Sequence, residues 1–200
     1  MVICRIQESK VILVLMKAKW LRLLKENQCN GGLKMNYHNI TTCDMKNGDG
    51  LRTVLWVSGC NHHCSECHNP QTWDPNSGIL FDDSARAELF NDLDLSYISG
   101  LTISGGGPLY PANRDTITEL CKEIKELYFN KTIWVYTGYE WEDVKNLELM
   151  KYIDTIVVGP YKKELRDVTY PWAGSSNQRV INVKQSLYHH KVILQQTYNK

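Results

Sequence analysis

The chain has 200 residues, with 42% apolar and 22% charged side chains and a formal net charge of +1. That length supports one domain with a buried core, and the composition is that of a globular protein rather than a disordered or fibrous one. A near-neutral balance gives no basis for a nucleic-acid-binding surface, so no nucleic-acid partner is expected.

Charge is unevenly spread. Residues 1–34 carry seven Lys or Arg against two Glu, whereas residues 35–200 carry sixteen basic and twenty acidic residues. The leader's apolar run, Val11-Ile12-Leu13-Val14-Leu15-Met16, is too short to cross a bilayer and has no small-residue cleavage site behind it. Residues 1–34 are therefore expected to be a basic leader, appended to or outside the core, with no membrane partner. Gly31-Gly32 separate it from Met35, itself a candidate translation start, and residues 35–200 are the domain proper.

The body reads as strands alternating with helices. Thr53-Val54-Leu55-Trp56-Val57 is a buried strand ending at Ser58-Gly59. Asp82-Asp83-Ser84 cap a predicted helix running to about Leu93. Leu101-Thr102-Ile103 is the next strand and stops in Ser104-Gly105-Gly106-Gly107-Pro108. Ile117, Leu120, Ile124 and Leu127 recur at three- and four-residue spacing and define one helical face. Ile133-Trp134-Val135-Tyr136 is a strand before Thr137-Gly138, Trp141 to Tyr152 is read as helix, and Ile153 to Val158 as a strand ending in Gly159-Pro160. Arg179 to Val183 and Lys191 to Leu194 are closing segments of unassigned order. Repetition of strand, glycine-containing loop and helix favours an α/β fold with a parallel sheet, whose ligands bind at the carboxyl ends of the strands.

Seven cysteines, at 4, 29, 43, 60, 64, 67 and 121, make an odd count that does not suit a disulfide scaffold. Three of them fall in Gly59-Cys60-Asn61-His62-His63-Cys64-Ser65-Glu66-Cys67-His68, spaced C-x3-C-x2-C. A loop can wrap three thiolates around three irons of a cubane, leaving the fourth iron open to a small molecule. Zinc, held by the three cysteines with His62, His63 or His68, is the alternative that spacing leaves open.

The loop resembles the cluster motif of the radical S-adenosylmethionine superfamily. The stretch from Val57 to Cys60, continued by Cys67-His68-Asn69-Pro70-Gln71-Thr72-Trp73, resembles the activating proteins of anaerobic ribonucleoside-triphosphate reductase. Asn47-Gly48-Asp49-Gly50-Leu51-Arg52, Leu101 to Gly106 with Pro108-Leu109, and Gly174-Ser175-Ser176-Asn177-Gln178-Arg179 resemble further motifs of that family. The likeness covers Met35 to about Val183.

The resemblance implies a partial (β/α) barrel of the radical S-adenosylmethionine type and a cytoplasmic protein. It implies a [4Fe–4S] cluster on Cys60, Cys64 and Cys67. S-adenosylmethionine would be bound through the backbone around Glu66, Cys67 and His68 and through Gly105 and Gly106. One electron from the cluster would cleave that ligand, and the resulting radical would abstract hydrogen from a glycine of the reductase large subunit, with a donor such as flavodoxin supplying the electron. Related activases usually carry Asp or Glu in a Gly-Gly-acid-Pro arrangement, where its carboxylate accepts from the ligand's amino group; this chain has Gly107 there. Activation of another glycyl-radical enzyme, or a catalytically silent iron–sulfur or zinc adaptor, are the competing readings.

Overall fold

A computed structural model of the chain describes residues 35–196; the basic leader read from the sequence lies outside the described residues. The strands are β1 (Asn36–Asp44), β2 (Arg52–Val57), β3 (Ile79–Leu80), β4 (Gly100–Gly105), β5 (Thr132–Tyr136), β6 (Thr155–Val158) and β7 (Arg179–Asn182). The helices are α1 (Asp83–Leu93), α2 (Arg114–Leu127), and the shorter α3 (Trp141–Val144) and α4 (Val183–Tyr188).

All seven strands form one sheet in the order β3-β1-β2-β4-β5-β6-β7. The β2-β4-β5-β6 centre is parallel, while β1 runs antiparallel to both β2 and β3, and β7 antiparallel to β6. The expected parallel sheet is thus the centre of a mixed one. The turn at Met45 to Leu51 returns the chain directly into β2, a connection open to antiparallel neighbours, whereas the parallel centre needs longer crossovers.

Register explains the two faces. Leu55, Ile103, Val135, Ile156 and Ile181 stand side by side across five strands, and none has measurable exposure. They share the core with Leu89 and Leu93 of α1 and with Ile117, Leu120, Cys121 and Ile124 of α2. α1 starts where expected: the Asp82 carboxylate accepts from the Ala85 amide at 3.0 Å. The adjacent row, Val54, Thr102, Trp134, Thr155 and Asn182, points to the other face. Trp134 there packs with Val157, Val180, Tyr136, Trp172 and Ala173. Trp172 meets the Trp134 ring edge-on at 5.0 Å and so anchors the segment before β7.

Arg52, at the start of β2, is fully buried on that second face. Its Nε donates to Thr102 Oγ1 at 2.6 Å, and its two terminal nitrogens donate to Asp49 O, Thr132 Oγ1, Leu101 O and Thr132 O at 2.6–3.0 Å. All five donors are used, each on a neutral oxygen. Burial lowers its pKa to about 10.

The segment expected as one helix from Trp141 to Tyr152 breaks after Val144. Leu147 is extended, at φ −67° and ψ 144°, and a 3₁₀ turn follows at Glu148–Lys151, with Leu149 and Met150 buried. Of the closing segments, the first is β7; Leu194 in the second bridges Ile181.

Candidate functional site

Four loops leave the carboxyl ends of β2, β4, β5 and β6, the edge where a parallel sheet presents its ligands. They carry Ser58 to His68, Gly106 to Leu109, Thr137 to Tyr139, and Gly159 to Tyr161. Asn47 to Leu51 instead precedes β2 and lies at the opposite edge, beneath Arg52.

The first two loops are joined by main-chain hydrogen bonds. Gly106 N donates to Val57 O at 2.8 Å and Gly107 N to Gly59 O at 2.6 Å. On the other flank, Gly59 N donates to Thr72 O at 2.8 Å and Cys60 N to Trp73 O at 2.9 Å. The contacts are too close for side chains at the glycines between them. A Cβ on Gly105, where φ is +104°, would lie 2.7 Å from Val57 O, and one on Gly106 would lie 2.7 Å from Thr72 O and 2.8 Å from Gly59 O. These two glycines therefore seat the second loop against the cysteine loop, a constraint that the fold imposes before any ligand does.

Cys60, Cys64 and Cys67 are half-buried, free thiols on one loop. Burial pushes the Cys64 thiol up, against a lowering by the Tyr161 amide, and neighbouring Cys60 and Cys67 push it further up. Cys67 N closes a turn on Cys64 O at 3.1 Å, and Asn69 N donates to Cys67 Sγ at 3.3 Å. Cubane thiolates bind different irons and need not converge on one point. Among the described residues, no three His, Cys, Asp or Glu side chains are grouped about a single-ion position.

The three histidines considered as zinc ligands each pack against an aromatic ring. His62 meets Tyr139 at 4.6 Å, His63 meets Trp73 at 4.7 Å and His68 meets Tyr161 at 5.5 Å. His62 also takes the space beside Gly138, where a Cβ would lie 2.5 Å from its ring. Its Nε2 is buried without a hydrogen-bond partner among the described residues. Glu66 has a positive φ of +53°, and its carboxylate pairs with Lys163.

The Gly174-to-Arg179 segment braces the β6 exit rather than carrying thiol contacts. Gln178 Oε1 accepts from Gly174 N at 2.9 Å while its Nε2 donates to Gly159 O at 3.0 Å; Asn177 Nδ2 donates to Pro160 O at 2.9 Å. Arg179 reaches Glu140 at 3.4 Å. Sequence reasoning missed Asn113, Tyr139 and Tyr161, each of which touches the cysteine loop or its neighbour. Tyr139 and Tyr161 had a signal, their places just after the strand-ending Thr137-Gly138 and Gly159-Pro160; Asn113 had none.

A separate cleft of about 510 Å³ opens at the opposite edge, lined by Asp49, Ser99, Lys131, Trp134, Asp154 and Lys184 among others. Its charges are largely spent inside the protein: Asp154 holds Lys125 and Lys184, each at 2.6 Å, and Lys131 donates to Leu95 O at 2.8 Å. The chemistry-bearing residues are at the cysteine edge.

Comparison with known proteins bears on both the cluster and the family. Residues 46–181 match the model of a 4Fe–4S single cluster domain. The chain is 45% identical over 156 residues to the anaerobic ribonucleoside-triphosphate reductase-activating protein of Enterobacteria phage T4, covering 78% of this chain and 99% of that one. It is 38% identical over 154 residues to the proteins of the same name from Haemophilus influenzae and Escherichia coli K12, covering 75% of this chain and 99% and 100% of theirs. Fold, thiol loop and similarity along nearly the full length of these relatives agree, and the chain belongs to the family of anaerobic ribonucleoside-triphosphate reductase-activating proteins.

Proposed function

We propose that this chain activates anaerobic ribonucleoside-triphosphate reductase by installing a glycyl radical at the expense of S-adenosylmethionine. The observation that carries the reading is the C-x3-C-x2-C loop, set at the carboxyl edge of the sheet and locked to the glycine loop after β4. Free thiols on one curved loop, with the Asn69 amide donating to Cys67 Sγ and no room for side chains at Gly105 or Gly106, fit a cluster and a ligand lying against backbone. A bound [4Fe–4S] cluster supplies one electron for reductive cleavage of the ligand's sulfonium bond, the hard chemistry being the cofactor's own.

The protein supplies position and shelter. Cys60, Cys64 and Cys67 are the metal ligands. Main chain at Glu66, Cys67 and His68 holds the adenosyl end, and Gly105 and Gly106 admit the methionyl end. Tyr139, Trp73 and Tyr161 pack against His62, His63 and His68 and brace the shape of the loop. The mixed sheet supports the partial (β/α) barrel as the frame, with residues 35–200 as the working domain and 1–34 appended to it. A cytoplasmic protein drawing electrons from a flavodoxin-type donor, and partnered with the reductase large subunit, completes the proposal. No helix among the described residues is long and apolar enough to cross a membrane.

The test is anaerobic reconstitution with iron, sulfide and zinc quantified on one sample, followed by ligand cleavage and a glycyl-radical signal on added reductase. About four irons with matching sulfide are expected. Cys60→Ala, Cys64→Ala or Cys67→Ala should each abolish activation, whereas Cys43→Ala and Cys121→Ala should remain active. One zinc without sulfide, or full turnover by any of the three ligand variants, would sink the reading.

A further inference from the structure

We infer that Asn113 is a positioning residue that sets the spacing between the cysteine loop and the glycine loop, and through it the affinity of the cluster edge for S-adenosylmethionine. Asn113 stands at the start of α2, where an asparagine side chain ordinarily accepts from an amide of its own helix. Here it makes no such cap. Its Nδ2 instead donates across 55 residues to Ser58 O at 2.7 Å and, more weakly, to Gly107 O at 3.4 Å. Ser58 lies two residues before Cys60, Gly107 directly follows the two close-packed glycines, and Asn113 is only 3% exposed.

One buried amide thus spans both loops from behind, at the point where Gly107 N meets Gly59 O. The same turn brings Tyr110 N to Gly107 O at 2.7 Å. Ser58 is itself pinned, its amide donating to Asn36 O at 2.9 Å and its hydroxyl to Ser77 O at 2.8 Å. Gly107 keeps its main-chain bonds to Gly59 O and Tyr110 N, so loss of the Asn113 donor removes the side-chain tie that sets the gap between the two loops. The thiols would keep their places while the ligand's cradle shifts, and small misplacements at a reacting centre cost large factors.

The inference rests on the proposed use of S-adenosylmethionine. Asn113→Asp, nearly isosteric, replaces the donor with a carboxylate facing two carbonyl oxygens; Asn113→Ala removes it. In reconstituted protein, iron per chain should stay at the wild-type value. The KM for S-adenosylmethionine should rise about tenfold, more than kcat falls, in keeping with loss of a buried hydrogen bond. The change that the ligand causes in the reduced cluster's electron paramagnetic resonance spectrum should need about tenfold more ligand in both variants. Lower melting temperature or iron content with unchanged KM and an unchanged spectroscopic titration per cluster would overturn the inference, leaving Asn113 a scaffold residue. A wild-type cluster whose spectrum ignores S-adenosylmethionine would overturn the underlying reading and this inference with it.

Discussion

If the chain binds S-adenosylmethionine as proposed, an acid at Gly107, where the family resemblance implies one after the paired glycines, should tighten that binding, and the structure sets limits on the gain. Gly107 does not have a positive φ. A Cβ there would lie 3.2 Å from Gly59 O, 3.6 Å from Cys60 Cα and 3.7 Å from Cys60 Sγ. The first contact requires a shift of a few tenths of an ångström in a carbonyl already held at 2.6 Å by Gly107 N, a cost at the low end of overpacking, about 1 kcal/mol. A charge-assisted hydrogen bond from carboxylate to ligand ammonium contributes about 1.5–3 kcal/mol. The net gain for Gly107→Asp is then about 0.5–2 kcal/mol, or roughly 2- to 30-fold in Kd. Gly107→Ala bears the steric cost without the charge, so the Asp-to-Ala ratio isolates the carboxylate and should be about 10- to 160-fold. Calorimetric titration of S-adenosylmethionine into matched, fully clustered proteins reads both. An Asp variant that binds no more tightly than Ala would refute the reasoning and show that another group already meets the ammonium.

Gly138→Ala should lower cluster incorporation, because its Cβ would occupy the His62 ring position and push on the loop between Cys60 and Cys64; iron content equal to wild type would refute this. Burial raises the Asp154 carboxyl, but hydrogen bonds from Lys125, Lys184 and the Ile133 amide outweigh it and hold the pKa below 3.8. Its contribution to stability is thus complete above about pH 3.8 and lost as pH falls through the lower folded value. Anaerobic urea midpoints measured against pH should show that acid limb weakened in Asp154→Asn, with lower stability at neutral pH; parallel curves would refute the assignment. A chain starting at Met35 should retain cluster and activity, whereas a later start should not, because the Met35 side chain is 1% exposed and its carbonyl accepts from Phe81 N at 2.8 Å. Comparing iron content and soluble yield of the two starts decides it.

The central strands were legible because their residues are buried on both faces and read as continuous apolar runs, and α1 because Asp82 caps it through its own side chain. β1 escaped notice: Asn36 to Asp44 is largely polar, and register shifts at Tyr37/Asn39 and Thr41/Asp44 spoil a period of two. β3 is two exposed residues with no pattern to read. The break after Val144 follows from burying Leu149 and Met150, a tertiary demand absent from local propensity. Within the site, cysteine spacing is a local signal and survives in the sequence. The seating of that loop depends on His62 with Gly138, Tyr161 with His68 and Asn113 with Ser58, pairs that only the folded chain brings together.

Arg52 has a consequence for how the sheet assembles. Its five partners come from the loop before β2, from β4 and from β5. Moving a guanidinium out of water costs several kcal/mol, and no single strand offers enough acceptors to compensate. A sheet with β2 and β4 paired but β5 absent would hold a desolvated cation with two of its five bonds unmade, and a lysine there would have too few donors to fill the set. Partly built sheets are thus penalised relative to both the unfolded chain and the finished one, which pushes folding toward an all-or-none transition. A charge at the far edge from the thiols thereby helps ensure that the cysteine edge forms on a completed frame.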